Sequence, residues 1–161
     1  MTELKGNKDS TTLLNVIYEG CGFSVRIRNV QRVIKDGFEY NDIDHEKITK
    51  TVFEKLLILT RPWTGAEAKF VRKHADMTQK QFGNFAFLKS HSGVCDWESK
   101  GNDLAGIPVE TELGLRIRLI FEFSQNENLK KSLYIVLKEA LTSNKNLKDV
   151  DVTLDYVSEC A

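Results

Sequence analysis

Apolar and polar positions alternate with a period of two through the first part of the chain. Phe23, Val25 and Ile27 are separated by Ser24, Arg26 and Arg28. On a strand, this pattern turns one apolar face inward and one cationic face outward. Asp36-Gly37 lies between Val33-Ile34 and Phe38, and Asp-Gly favours the positive φ angles of a tight hairpin. Residues 13–43 therefore predict a small antiparallel sheet of two or three strands. The period then changes. Asp44 is placed to cap a helix carrying Ile48, Val52, Leu56 and Leu59, with Phe53 and Leu57 widening the stripe. Pro62 disfavours helix at Arg61, so this helix is expected to end near Thr60, and residues 60–63 predict a domain boundary.

Three or more helices are expected over 64–123, interrupted by a polar loop at 101–108. Leu113, Ile117, Ile120 and Phe121 predict one apolar helical face. Leu129, Leu133, Val136, Leu137, Ala140 and Leu141 predict another. Strict alternation returns in Val150, Val152, Leu154 and Tyr156. That is a strand signal, for a strand that joins the N-terminal sheet or the same sheet of a partner subunit. The expected fold class is α+β. A flexible tail (1–11) precedes a β-hairpin and helix module (12–60), then an all-α domain of about five helices (61–123), then a C-terminal helix and strand (124–161) available for dimerisation.

Composition narrows the function classes. Hydrophobic residues make up 41% of the 161 residues and charged residues 29%, as in globular proteins. Apolar runs such as Leu56 to Leu59 are far shorter than the ~20 residues a membrane helix needs. Met1 to Ser10 lacks the apolar core of a signal peptide, so a cytoplasmic address is expected. Cys21, Cys95 and Cys160 are odd in number and widely spaced, which argues against a disulfide framework or a zinc ribbon. The formal net charge is zero, yet Arg61 to Lys100 holds seven Lys and Arg against four acids. This permits nucleic-acid binding without requiring it.

The segment 64–98 carries the functional signal. Thr64 and Glu67 form a capping-box pair ahead of Ala66, Phe70 and Val71. Asp76-Met77-Thr78 breaks that helix, and Thr78 can cap a second one beginning Gln79-Lys80-Gln81-Phe82. Ser90 can cap a third, running from His91 to Glu98. Val94 and Trp97 are three apart and can face inward, leaving His91, Ser92, Cys95 and Asp96 outward. One helix that crosses a DNA backbone, followed by one with short polar side chains in its first turn, is what major-groove reading requires. Gln79 stands where an amide can meet phosphate.

The stretch TGAEAKFVRKHADMTQKQFG, followed by SHSGVCDWE, resembles the lambda-repressor/Cro-like (XRE) helix-turn-helix family, in the form found in bacterial regulators and toxin–antitoxin antitoxins. The preceding YEGCGFSVRIRNV resembles the small sheet-containing module that often stands ahead of that domain. In some relatives this module carries zinc on cysteine pairs, which are missing here. The resemblance covers residues 17–123 and is most specific over 64–98. It implies DNA contacts by Gln79, Ser90, His91 and Ser92, and Lys80, Lys89, Cys95 and Lys100 are further candidate DNA-binding residues in the same segment. It also implies support of the recognition helix by Phe70, Arg72, Phe82, Val94, Trp97 and Glu98, including an Arg72–Glu98 ion pair. The chain departs from the family pattern in three places. The turn around Phe87-Leu88-Lys89 is one residue longer, Asp96 adds a negative charge, and Gly93 sits inside the third helix.

The expected function is a sequence-specific transcriptional regulator, a repressor, acting as a homodimer on double-stranded DNA. It could also be the antitoxin of a toxin–antitoxin pair, with a toxin protein as partner. The alternative is a protein-interaction module on a helix-turn-helix that has lost DNA binding. Enzyme chemistry has no support: the carboxylates are scattered, and no Gly-rich phosphate loop, GxSxG or HExxH occurs. His91 and Cys95 are four apart but have no further ligand nearby, so neither a metal nor a cofactor is expected. His74, near a helix C-terminus, is expected to be solvated, and His45 to lie at the surface. Arg26, Arg28, Arg32 and Lys35 read as the solvated face of the hairpin, with a second nucleic-acid patch as the alternative.

Overall fold

The computed structural model describes residues 13–124, 127, 128, 130, 133 and 150–153. The expected tail (1–11) and positions 154 and 156 of the expected last strand lie outside these residues, as does most of the expected 129–141 helix. The fold class is α+β. Strands β1 (Leu13–Tyr18), β2 (Val25–Lys35) and β3 (Phe38–Asn41) form an antiparallel sheet, followed by helix α1 (His45–Leu57). Helices α2 (Gly65–His74), α3 (Gln79–Phe85), α4 (Ser92–Glu98) and α5 (Val109–Phe123) follow. Strand β4 (Val150–Thr153) then pairs in parallel with β2, Val25 opposite Val150 and Arg28 opposite Thr153. Of the two expected destinations for the last strand, its described part thus takes the sheet of its own chain.

Strand β2 departs from simple alternation. Leu14 pairs with Val30 while Val16 pairs with Ile27, so β2 carries one extra residue. Asn29, with φ of 58°, absorbs it, a bulge that plain period-two reading does not register. The bulge turns Val30 inward, to join Val25 and Ile27 in the core. Beyond it, the β2–β3 hairpin closes on Asp36 and Gly37, both at positive φ. Val33, Ile34, Phe38 and Tyr40 on this hairpin are all exposed.

Asp44 caps α1, accepting from the Lys47 amide at 3.0 Å. The helix ends at Leu57, before the Thr60 expected. The following residues, placed at a boundary by sequence, are heavily bonded. Trp63 is fully buried and its ring N–H donates to the Leu56 carbonyl at 2.8 Å. Arg61 grips both Glu67 oxygens at 2.8 and 2.7 Å. From α5, Arg116 donates to the carbonyls of Leu59 (2.5 Å) and Arg61 (2.7 Å) and through Nε to Glu112 (3.0 Å). Its guanidinium lies 4.8 Å over the Trp63 ring. Burial pushes the Glu112 carboxyl above its usual range, against the pull of Arg116. One apolar cluster runs from Val25 and Ile27 through α1 to Val94, Trp97 and Leu119.

Helix α5 corrects one expectation. Its buried positions are Glu112, Leu115, Arg116, Leu119 and Ile120. Phe121, expected on the apolar face, is 60% exposed. The face is rotated because Arg116 points inward to hold the 59–61 carbonyls, which an apolar-only pattern cannot anticipate. Leu133 is buried and helical. Among the described residues, no helix is long and apolar enough to cross a membrane.

His74 is exposed at the end of α2, as expected. One side of its ring is covered: it stacks on Phe53 at 4.4 Å and lies 5.8 Å from Phe70, and the desolvation lowers its pKa below 6.5. The unfolded chain therefore binds more protons between the lowered value and 6.5. Stability is fully present above that window and is lost as pH falls through it. Urea titrations between about pH 7.5 and about pH 5 should show this loss, and His74→Phe should flatten it; an unchanged slope in the variant contradicts the assignment. Arg116→Met leaves Glu112 buried without its cation and removes the guanidinium that donates to the Leu59 and Arg61 carbonyls. Chemical denaturation should report a loss of about 3–5 kcal/mol; a loss below about 1 kcal/mol would contradict the clamp.

Candidate nucleic-acid interface

Helices α2, α3 and α4 are built by local capping and by two backbone reversals. Thr64 and Thr78 each accept from the amide three residues on, and Glu67 and Gln81 return the bond. Helix α2 ends with Asp76 at φ of 54°; the Asp76 amide bonds to Lys73 and the Met77 amide to Arg72. Helix α3 ends in the same way with Phe87 at φ of 59°, its amide on Asn84 and that of Leu88 on Gly83. This is the Schellman arrangement, with a phenylalanine where glycine is usual. The left-handed backbone costs roughly 1–2 kcal/mol for such a residue. Arg118 opposes that cost: it donates to the Phe85 carbonyl and lies 3.9 Å over the Phe85 ring and 4.8 Å over that of Phe87. The turn after α3 is thus held from α5.

The core side of α4 is as expected: Val94 and Trp97 are buried, as is Phe82 of α3. A Cβ at Gly93 would lie 3.3 Å from Leu88 Cδ1, a close approach to the end of a flexible side chain. Gly65 is tighter, since a Cβ would fall 2.5 Å from the Trp97 carbonyl oxygen. Glycine there lets α2 begin directly against the end of α4.

The Arg72–Glu98 ion pair is present. Arg72 Nε meets Glu98 Oε1 at 2.5 Å and Nη2 meets Oε2 at 3.0 Å, with side-chain exposures of 11% and 6%. Arg72 Nη1 also donates to the Met77 carbonyl at 2.8 Å, so one guanidinium ties α2, the turn before α3, and α4. Glu98 Oε2 receives Gln79 Nε2 at 2.9 Å, and Cys95 Sγ donates to Gln79 Oε1 at 3.3 Å.

The candidate contact residues divide into two groups. Lys80, Lys89, Ser90, His91, Ser92 and Lys100 are exposed. Gln79 and Cys95 are only partly exposed and bonded to each other, so Cys95 does not point outward with His91 and Ser92. Ser90 does not cap α4 as expected. His91 occupies the cap position in helical conformation without a side-chain bond, while Ser90 Oγ pairs with Ser92 Oγ at 2.7 Å. Helix α4 thus begins one residue later than expected, at Ser92. Phe70 packs edge-on to Phe23 at 5.6 Å, so its ring reaches the sheet module. His45 is exposed and bonded to the Tyr18 hydroxyl at 2.9 Å. On the hairpin, Arg32 pairs with Glu39 at 3.0 Å.

Among the described residues, no group of three or more His, Cys, Asp or Glu is placed to hold a metal ion. The buried Cys21 thiol is pushed up to about 11 by burial, which keeps it protonated and unreactive. No family model, no curated protein and no solved structure matches this chain.

A double-mutant cycle of Arg72→Ala and Glu98→Ala on folding stability should give a coupling of about 1–3 kcal/mol. Additive losses would mean that the pair does not tie the helices together.

Proposed function

We propose that this protein is a sequence-specific DNA-binding regulator that presents the start of α4 to the major groove and acts as a homodimer. The carrying observation is a helix anchored through Val94 and Trp97 whose opposite side, at Ser90, His91 and Ser92, is exposed. Short polar side chains at that end allow close approach to base edges. Lys80, Lys89 and Lys100 are exposed on the same three-helix unit and supply cations for phosphate. The resemblance of 64–98 to the lambda-repressor/Cro-like pattern supports the same reading. Two copies would read half-sites about one helical turn apart. The antitoxin role is a special case of this reading, in which a second surface holds a toxin.

One observation favours the protein-interaction alternative. Pairing across the hairpin puts Val33 opposite Tyr40 and Lys35 opposite Phe38, so Val33, Phe38 and Tyr40 share one exposed face. Exposed apolar patches mark sites of contact with other proteins.

Binding to selected genomic fragments, measured across salt, separates the two. A regulator should show affinity that falls steeply with salt. His91→Ala and Ser92→Ala should erode discrimination by about 1–3 kcal/mol, while Lys80→Ala weakens all sequences alike. Weak binding without sequence preference, together with co-purification of a protein partner, would replace the regulator with the interaction module.

A further inference from the structure

Glutamine side chains ordinarily present their amide in either of two orientations, with nitrogen and oxygen exchanged. At Gln79 the surroundings remove that freedom. A carboxylate can only accept, so the amide edge facing Glu98 must be the nitrogen, and Nε2 donates to Oε2 at 2.9 Å. Glu98 cannot turn away, because Arg72 holds both of its oxygens. On the other side, the Cys95 thiol donates to Oε1 at 3.3 Å. With one N–H and one lone pair consumed, the amide keeps a second N–H and a second carbonyl lone pair. Gln79 is partly exposed and lies beside α4, the helix proposed to enter the groove.

We infer that Glu98 and Cys95 are positioning residues for Gln79: they lock its amide in one orientation, so that its remaining N–H is held ready for a hydrogen-bond acceptor on DNA. The acceptor is a phosphate oxygen or a purine ring nitrogen, which share that chemistry. This inference rests on the DNA-binding reading for the identity of the ligand, and on the Glu98–Gln79–Cys95 geometry alone for the locking. A preset amide does not have to be ordered when DNA binds, and preorganisation of that kind strengthens binding without adding a contact. Cys95 thereby acts through Gln79 and not as a base-reading side chain.

The test combines DNA binding with side-chain NMR of the free protein. Cys95→Ala should weaken binding to a selected duplex by about two- to tenfold while leaving the thermal midpoint unchanged. Cys95→Ser, which retains a donor, should restore most of it. In a Gln79→Ala background, Cys95→Ala should have no further effect. Loss on all sequences identifies phosphate as the acceptor, and loss at one base position identifies a purine. Additive losses, or failure of serine to rescue, overturn the inference. In the free protein, the Gln79 side-chain NH2 should be rigid, and mobile once Cys95 is alanine. An amide already as mobile as a solvated glutamine overturns the locking, whatever the binding result. A rigid amide in a protein that binds no duplex upholds the locking and removes the DNA reading instead.

Discussion

The Arg72–Glu98 ion pair is the interaction on which the arrangement of the three short helices depends. Helices α3 and α4 have seven residues each, too few to persist in water on their own. Their mutual geometry comes from tertiary contacts. The guanidinium of Arg72 reaches α4 through Glu98 and the approach to α3 through the Met77 carbonyl. Glu98 in turn reaches the first residue of α3 through Gln79. With its side chains about nine-tenths buried, the pair is costly to bring out of water. That cost is offset because every oxygen of Glu98 has a donor and the geometry is bidentate. A second buried set, formed by Arg61, Glu67, Glu112 and Arg116, closes the chain between α1 and α2 onto α5. The sheet module and the helices consequently share one core and a bonded junction.

Local signals made much of this legible. Asp36-Gly37, Asp44, Thr64 and Thr78 each announce a turn or a cap through chemistry confined to four residues, and all four are found where that chemistry puts them. Val94 and Trp97 were readable for the same reason, since their spacing fixes a common helical face. What escaped depended on partners distant in sequence. Arg116 looks like a surface cation until the carbonyls of Leu59 and Arg61 are seen behind it. Phe87 gives no local hint of a left-handed backbone, because its support comes from Arg118. Asn29 was the missed opportunity: asparagine tolerates positive φ, and its place inside an apparently regular strand could have flagged the bulge. In the candidate interface, the exposure of His91 and Ser92 was readable, whereas the Cys95–Gln79 bond was not, since neither residue type implies the other.

Two surfaces compete to define the function, and their physics differ. The start of α4 is polar, flanked by lysines, and belongs to a helix anchored through Val94 and Trp97. The hairpin is apolar on one face and locally neutral, with Arg32 answered by Glu39 and Asp36 beside Lys35. A polyanion would be drawn to the first surface and gain little from the second. With a net charge of zero, any long-range attraction to DNA would have to come from the uneven distribution of charge and not from the whole molecule. Asp96, exposed on α4, works against binding wherever it faces phosphate. Discrimination would therefore rest on the fit at Ser90, His91 and Ser92 more than on bulk attraction.

The most direct measurement is a backbone amide NMR titration of the protein with a duplex recovered from its own genomic selection. If the start of α4 enters the groove, resonances of residues 89–92 move most, followed by those near Lys80 and Lys100, while those of the 32–41 hairpin stay in place. Shifts concentrated on the hairpin, or none at the start of α4, would contradict the claim that this helix meets DNA.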